Sequence, residues 1–307
     1  MTDITETLVS IHVITYNSSK TIVETLDSIY NQTYKNIELV ISDDCSTDTT
    51  VDICREWISR NGGRFARTEI IKASTNTGIA ANCNRAMDAC QADWVKPLAG
   101  DDILLPRCID AYMQYVSYHE NTACLFSRVQ CFSALNGKKV NNYDAFDYRF
   151  FSLPREKQLD HLIYGWNCIP AATAFMNLAF LRKNGIRYDE RIPMLEDFPM
   201  WINILNSGHQ LEFLDQKLVC YRIYNGISTT TANPAFYYSG KLFVLLYQYP
   251  EWAKRDPIDA HKRLRAAMGE GQQRIGVRER RNMRVGNLIL SPIYWIKKNV
   301  MHLQRRD

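Results

Sequence analysis

Long apolar runs are missing from this 307-residue chain. No stretch approaches the roughly 18 consecutive apolar residues that cross a bilayer, so no membrane span is expected. The opening MTDITETLVS is acidic and polar and lacks the basic start of a secretory signal. A cytoplasmic location is therefore expected. Closely paired cysteines are missing too. The nine cysteines, at 45, 54, 83, 90, 108, 124, 131, 168 and 220, contain no CxxC pair. That argues against the common zinc and redox motifs, and an odd number without a framework reads as reduced thiols serving as small core residues. Glycine is absent where two nucleotide-binding classes need it. The loop after the first apolar run is TYNSSKT, whereas an NAD-dependent dehydrogenase would carry G-x-G-x-x-G there. A sugar nucleotidyltransferase would carry a glycine-rich, basic loop.

What is present is an ordinary globular composition, 46% hydrophobic and 23% charged. The net charge of +4 is unevenly spread. Residues 262–307 hold 12 Lys/Arg against 3 Asp/Glu, a net of +9, which leaves the remainder at 25 against 30, a net of −5. A mildly acidic body with a basic tail suggests an anionic partner surface. Within the tail, Lys262–Met268 and Arg274–Arg284 read as basic helices. The nonamer LILSPIYWI (288–296), flanked by Arg284 and Lys297-Lys298, suits an interfacial membrane segment or a C-terminal helix packed on protein. Nucleic acid is not expected, because no interleaved aromatic or zinc-binding pattern accompanies the charge.

The first hundred residues alternate apolar runs with helical patterns. Leu8–Thr15, Ile37–Ser42, Thr68–Ala73 and Trp94–Ala99 read as strands. Between them, Thr21-Ile-Val-Glu24 has the form of a capping box opening a helix with Ile22, Leu26, Ile29 and Tyr30 on one face. A second helix carries Ile53 and Trp57 and ends at Asn61-Gly-Gly63, and Ala80–Cys90 reads as a third. This alternation predicts an α/β fold with a mainly parallel, doubly wound sheet, whose ligands bind at the carboxyl ends of the strands.

Each of those strand ends is polar: Thr15-Tyr16-Asn17, then Asp43-Asp44-Cys45-Ser46-Thr47-Asp48, then Asn76-Thr77-Gly78 with Asn84-Arg85 beyond, then Gly100-Asp101-Asp102. Any one could be an Asx turn or a helix cap, but four on one sheet edge point to a site. Two pairs of adjacent carboxylates would repel unless something positive intervened, and a bound cation is the simplest resolution. Hard divalent ions such as Mg²⁺ or Mn²⁺ prefer carboxylate oxygen and share their shell with substrate phosphates. Gly100 would let a ligand approach the backbone closely.

The ordered set TYN, DDxSTD, NxGxxxxxN and GDD resembles the inverting family 2 glycosyltransferases, which have the GT-A nucleotide-sugar-binding fold; the resemblance covers roughly residues 8–230. It implies a catalytic domain over 1–235, with a nucleotide-binding half to about 130, an acceptor half over 131–235, and a basic helical region over 236–307. By resemblance, Thr15 and Tyr16 would line the nucleobase pocket, and Asn17 and Asn84 belong with the nucleotide-binding set. Asp43 or Asp44 would accept a hydrogen bond from a uracil imide, and Asn76 and Gly78 would flank the ribose. Asp101 would ligate the metal, with Asp102 at metal or ribose. Ala99 stands where the family often has an aspartate, and Cys83 and Arg85 around Asn84 depart from the family's Ala-Arg-Asn.

Downstream, Glu196-Asp197 with Trp201 resembles the family's Glu-Asp-x-x-x-Trp segment. That implies Asp197 as the catalytic base, with Glu196 tuning it or binding acceptor. Trp201 would be core or, less simply, a sugar platform. Tyr221-Arg222, in a segment ending at Ser228, resembles the family's Tyr-Arg stretch. Arg222 would then meet the donor diphosphate, a surface salt bridge being the plain alternative. The aromatic-rich stretch 140–170 is expected to shape the acceptor site. The resemblance implies Mn²⁺ or Mg²⁺ as cofactor and a UDP-sugar as donor. It also implies a lipid-linked or oligosaccharide acceptor in O-antigen or capsule synthesis, with the enzyme peripheral at the inner face of the cytoplasmic membrane. The missing acid at Ala99 leaves a non-catalytic nucleotide-sugar-binding scaffold as the alternative.

Overall fold

The structure, a computed structural model, describes residues 7–133, 146–165, 167–192, 194–223 and 234–269. Its first half follows the expected alternation: β1 (Val9–Thr15), α1 (Ile22–Tyr30), β2 (Ile37–Asp43), α2 (Thr50–Asn61), β3 (Arg67–Lys72), α3 (Ile79–Ala89) and β4 (Trp94–Ala99). The chain continues through β5 (Ile103–Leu104), α4 (Cys108–Tyr118), β6 (Cys124–Ser133), α5 (Arg155–Tyr164), β7 (Phe175–Asn177), α6 (Leu178–Lys183), α7 (Asp197–Asn206) and β8 (Leu211–Ile223). Helix α8 (Pro234–Phe243) runs into a π-helical turn at Val244–Gln248.

The strands form one sheet in the order β3-β2-β1-β4-β7-β6-β8-β5. The first four are mutually parallel, β7 is antiparallel to both neighbours, and β8 runs parallel to β6 and antiparallel to β5. The chain leaves β1 toward β2 and β3, then returns to β4 on the other side. The carboxyl ends of β1, β2 and β4 therefore meet at a topological switch point, the usual place for a ligand in such sheets.

β1 and β2 are covered on both faces, which explains their nearly unbroken apolar, β-branched sequences. Val9, Ile11, Val13, Leu39 and Ile41 share a core with Ile22, Leu26 and Ile29 of α1, Trp57 of α2 and Ile109, Tyr112 and Val116 of α4. The opposite face carries buried polar groups, among them Glu38, which pairs with Arg67 and accepts from the Ser10 hydroxyl and the Ala92 amide. The nine cysteines are free thiols, six buried and three partly so.

Two local expectations are corrected. Thr21 makes no side-chain cap; its hydroxyl donates to the Gly100 carbonyl at 2.8 Å, and Glu24 pairs with Arg222. Both residues of the expected capping box thus reach across to other segments. Compactness also extends further than residue 235, to Glu251. In that unit, Phe243 of α8 stacks on Phe198 of α7 at 4.1 Å, and the Ser239 hydroxyl accepts from the Met194 amide. A second unit starts at Trp252, within α9 (Tyr249–Arg255), and includes α10 (Pro257–Gly269), which spans the basic helix expected at 262–268. The stretches 274–284 and 288–296 lie outside the described residues. Among the described residues, no helix is long and apolar enough to cross a membrane.

Candidate active site

The donor edge is built by loops that bond to one another. Thr15 and Asp43 are register partners at the ends of β1 and β2, and the Thr15 hydroxyl donates to Asp43 Oδ2 at 2.9 Å. Asp43 also accepts from the Ser46 amide at 2.8 Å and from the Ser46 hydroxyl. Asn17, in the left-handed region at φ 52°, donates its amide to Ser46 Oγ and accepts the Thr47 amide on Oδ1. Asp44 accepts from the Thr77 amide, the Thr77 hydroxyl and the Gly78 amide at 2.6–3.0 Å, and from Arg85 at 3.4 Å. Gly78 sits at φ 89°, which a side chain would strain.

Asp43 and Asp44 are 1% and 3% exposed. Backbone amides, hydroxyls and Arg85 offset their mutual repulsion, so this pair does not call for the cation expected from sequence. Asp44 could meet a uracil imide only by giving up one of these donors. Solvent instead meets Tyr16, 43% exposed, together with Asn76 and Thr77.

The second acidic turn is differently placed. Asp101 keeps some exposure, whereas Asp102 is buried and accepts the Arg222 amide at 3.1 Å. Burial, then the charge of Asp101, pushes the Asp102 carboxyl well above the usual carboxylate range. The Arg222 guanidinium donates to the Asp101 carbonyl at 2.8 Å, pairs with Glu24 and lies 4.5 Å from the Phe132 ring centre. It is thus a clamp on this turn, and the salt-bridge alternative describes it in part: its own side chain is only 8% exposed, while its partner Glu24 is 57% exposed. Gly100 is corrected as well. A Cβ there would come 2.9 Å from Thr15 Cγ2 and 3.3 Å from the Ile14 carbonyl oxygen, so glycine serves the packing of this turn on β1.

Glu196 and Asp197 begin α7, each keeping some solvent contact while packed deeply enough to disfavour charge. Burial and then the charge of Asp197 raise the Glu196 carboxyl. Burial raises Asp197 too, but Asn167 Nδ2 donates to its Oδ2 at 2.6 Å and the Phe198 amide also favours its ionised form. Hydrogen bonding thus separates two adjacent acids: Asp197 gives up its proton more readily and Glu196 holds its own more tightly. Trp201, one turn on, is 1% exposed and packs edge-on against Phe126 at 4.8 Å, which leaves no ring face for a sugar. Its buried indole N–H lies near enough to Asp197 to favour the charged form, without an ordinary hydrogen bond.

Helix α3 joins the two regions. The buried Cys83 thiol is pushed well above its usual range by burial and then by the charges of Glu196, Asp197 and Asp44. Asn84 is buried and faces the acceptor half: it exchanges hydrogen bonds with the Tyr188 backbone at 2.9 and 3.0 Å and donates to Glu190 at 2.8 Å. Its expected nucleotide contact gives way to this tie. In the aromatic stretch, Phe150 and Phe151 are core residues, Phe151 stacking on Phe213; Tyr143 and Trp166 lie outside the described residues, as does Ser228. Asn82, which is a fixed position in none of the sequence motifs, accepts from Ser42 and Arg85 and donates to the Thr15 carbonyl. Its place two residues before Asn84 was the one available hint. Asn167 carried no signal beyond lying in the aromatic stretch.

A sheet of this topology, with acidic turns at its switch point and an adjacent acid pair opening a later helix, is the GT-A fold. Residues 10–183 match the family described as Glycosyl transferase family 2, and the chain belongs to that family. It is a glycosyltransferase, which closes the scaffold alternative. The chain is 28% identical over 222 residues to the UDP-Glc:alpha-D-GlcNAc-diphosphoundecaprenol beta-1,3-glucosyltransferase WfaP of Escherichia coli, covering 71% of this chain and 78% of that one. It is 24% identical over 240 residues to glycosyltransferase GlyG of Streptococcus pneumoniae serotype 4, covering 71% and 72%. Among solved structures, S. aureus TarS 1–349 in complex with UDP has the same fold, with a TM-score of 0.60 and 21% identity across 89% of this chain and 76% of that one. The chain spans 39% of the longer TarS chain.

Proposed function

We propose that this chain catalyses an inverting transfer in which a sugar passes from a UDP-sugar to a hydroxyl of a lipid-linked or saccharide acceptor during assembly of a surface polysaccharide such as O-antigen or capsule. The observation that carries the reading is the acid pair at the start of α7, in which Asn167 donates to the Asp197 carboxylate at 2.6 Å. Asp197, whose charge the Asn167 hydrogen bond helps to stabilise, takes the acceptor proton as that oxygen attacks the anomeric carbon opposite the leaving nucleotide. Glu196 holds its proton and is suited to donate a hydrogen bond to the acceptor. One displacement inverts the configuration and forms no covalent intermediate on the enzyme.

On the donor side, Tyr16 offers its exposed ring to the nucleobase. Thr15, Asn17, Asp43, Asp44 and Gly78 set the backbone around it, and Asn76 stands at the ribose. Asp101 and Asp102 are the acids that would hold Mn²⁺ or Mg²⁺. Among the described residues no cluster of three or more His, Cys, Asp or Glu side chains is suited to a metal. Two carboxylates suit a hard cation that completes its shell with diphosphate oxygens and water. When bound, such a cation neutralises charge on the departing diphosphate. Arg222 supports the turn and stands beside it as a positive group. A UDP donor is supported by the donor in WfaP's name and by the UDP and UDP-GlcNAc complexes of TarS. The acceptor in WfaP's name supports a lipid-linked diphosphate. The basic residues of 262–307 fit a peripheral position on an anionic membrane face.

The test is a panel of UDP-sugars with Mn²⁺ and lipid-linked or oligosaccharide acceptors, read as UDP release and product configuration. Turnover with inversion is expected. Retention of configuration, or no binding of any nucleoside diphosphate, would contradict the reading.

A further inference from the structure

Asn167 stands 30 residues before Asp197, in the segment between α5 and β7, and donates from Nδ2 to Asp197 Oδ2 at 2.6 Å. The direction of its amide is set by its other end. Asn167 Oδ1 accepts the Ile169 amide at 3.0 Å, so the nitrogen faces the carboxylate. The segment is in turn anchored to the core below it. Lys96 of β4, fully buried, donates to the Ala172 carbonyl at 2.7 Å, and the Tyr112 hydroxyl of α4 donates to the Thr173 carbonyl at 2.5 Å. A donor held this firmly acts on a carboxylate in two ways: it limits the rotation of the group and stabilises its charge.

We propose that Asn167 is the positioning residue of the base, orienting the Asp197 carboxylate and stabilising its charge through this hydrogen bond. The inference rests on the reading of Asp197 as the base. The titratable groups around the pair are few. Glu196 belongs to the same helical turn; Cys83 faces it from α3 and Tyr188 from the segment leading to α7, and burial holds both of these neutral well beyond their usual ranges. The Asp44 carboxylate reaches the same thiol from the donor edge. On the Asn167 side, His161 Nε2 lies 3.6 Å from Cys168 Sγ, and burial raises that thiol to about 11.

The experiment is a carboxyl titration of the full chain followed by carbon-13 NMR, in which D197N identifies the Asp197 signal. A hydrogen bond to a charged group is worth about 1.5–3 kcal/mol, so its loss corresponds to about one to two pH units. N167A is expected to raise the lower titration step of the Glu196–Asp197 pair by that amount. N167S, which keeps a short donor, is expected to fall between N167A and wild type, and H161Q to leave the step in place. A step that moves less than a few tenths of a unit in N167A, or moves as far in H161Q, overturns the proposal. Should N167A fail to fold, the same criterion applies to N167S. The base assignment fails separately: turnover of a UDP-sugar surviving in D197N would remove it while leaving the titration result intact.

Discussion

Two pairs of neighbouring acids, Asp43–Asp44 and Glu196–Asp197, look alike in sequence and behave oppositely in the fold. The first pair collects amides, hydroxyls and Arg85, and its charges are absorbed into the frame that links the ends of β1, β2 and α3. The second pair is also packed inside the chain but has too few donors for two charges, so proton affinity rises and the two acids diverge. Asp101–Asp102 lies between these cases, with Asp102 buried and raised and Asp101 partly exposed. The number of donors around a carboxylate, more than its neighbour in sequence, separates scaffolding from chemistry.

Breaking the second pair should have the largest effect. D197N preserves shape and removes the base, and turnover is expected to fall by about 10²–10⁴-fold, measured as UDP release at saturating acceptor. Loss confined to KM would place Asp197 in binding instead. Breaking the first pair should act on stability. D44A leaves the Thr77 and Gly78 amides without their acceptor, and a cost of about 3 kcal/mol is expected from thermal or denaturant unfolding. Stability unchanged in D44A, with lost turnover, would move Asp44 into the chemistry and erase the contrast.

Smaller changes sharpen the picture at the turn between the pairs. G100A would press a methyl group against Thr15, with an expected loss of about 1–3 kcal/mol. Adding T15S, which deletes the opposing methyl and keeps the hydroxyl for Asp43, should recover part of it; no recovery would show that the Ser18 hydroxyl and the Ile14 carbonyl, 3.2 and 3.3 Å from the added Cβ, set the limit. T21V removes the hydroxyl's hydrogen bond to the Gly100 carbonyl and its longer contact with the Ser18 carbonyl, and a loss of about 1 kcal/mol is expected in the same assay. An unaltered midpoint would return Thr21 to a merely local role in α1.

Much of the donor half was legible in the sequence. β4 occupies the predicted residues, and β1, β2, β3 and α3 differ from expectation by about a residue at their ends, because periodicity is a local property. The acidic strand ends were legible for the same reason: a strand places its last residue on a known edge. Partner choice was not legible. Thr21 and Glu24 satisfy the local pattern of a capping box yet bond to Gly100 and Arg222, since tertiary partners offered better geometry than the helix's own amides. Asn84 sits in a family-like motif but turns to Tyr188, and Asn167 meets Asp197 across 30 residues with no period connecting them. Trp201 matched its motif by spacing, while its burial against Phe126 depended on a strand seventy-odd positions earlier.

The division of labour between the two regions is tested most directly by calorimetric titration of UDP with Mn²⁺ into wild type, D101N and D197N. The account predicts that D101N loses Mn²⁺-dependent UDP binding by at least about tenfold, or about 1.4 kcal/mol, while D197N binds as wild type does. Equal binding in all three proteins, or a loss in D197N as large as that in D101N, would contradict it.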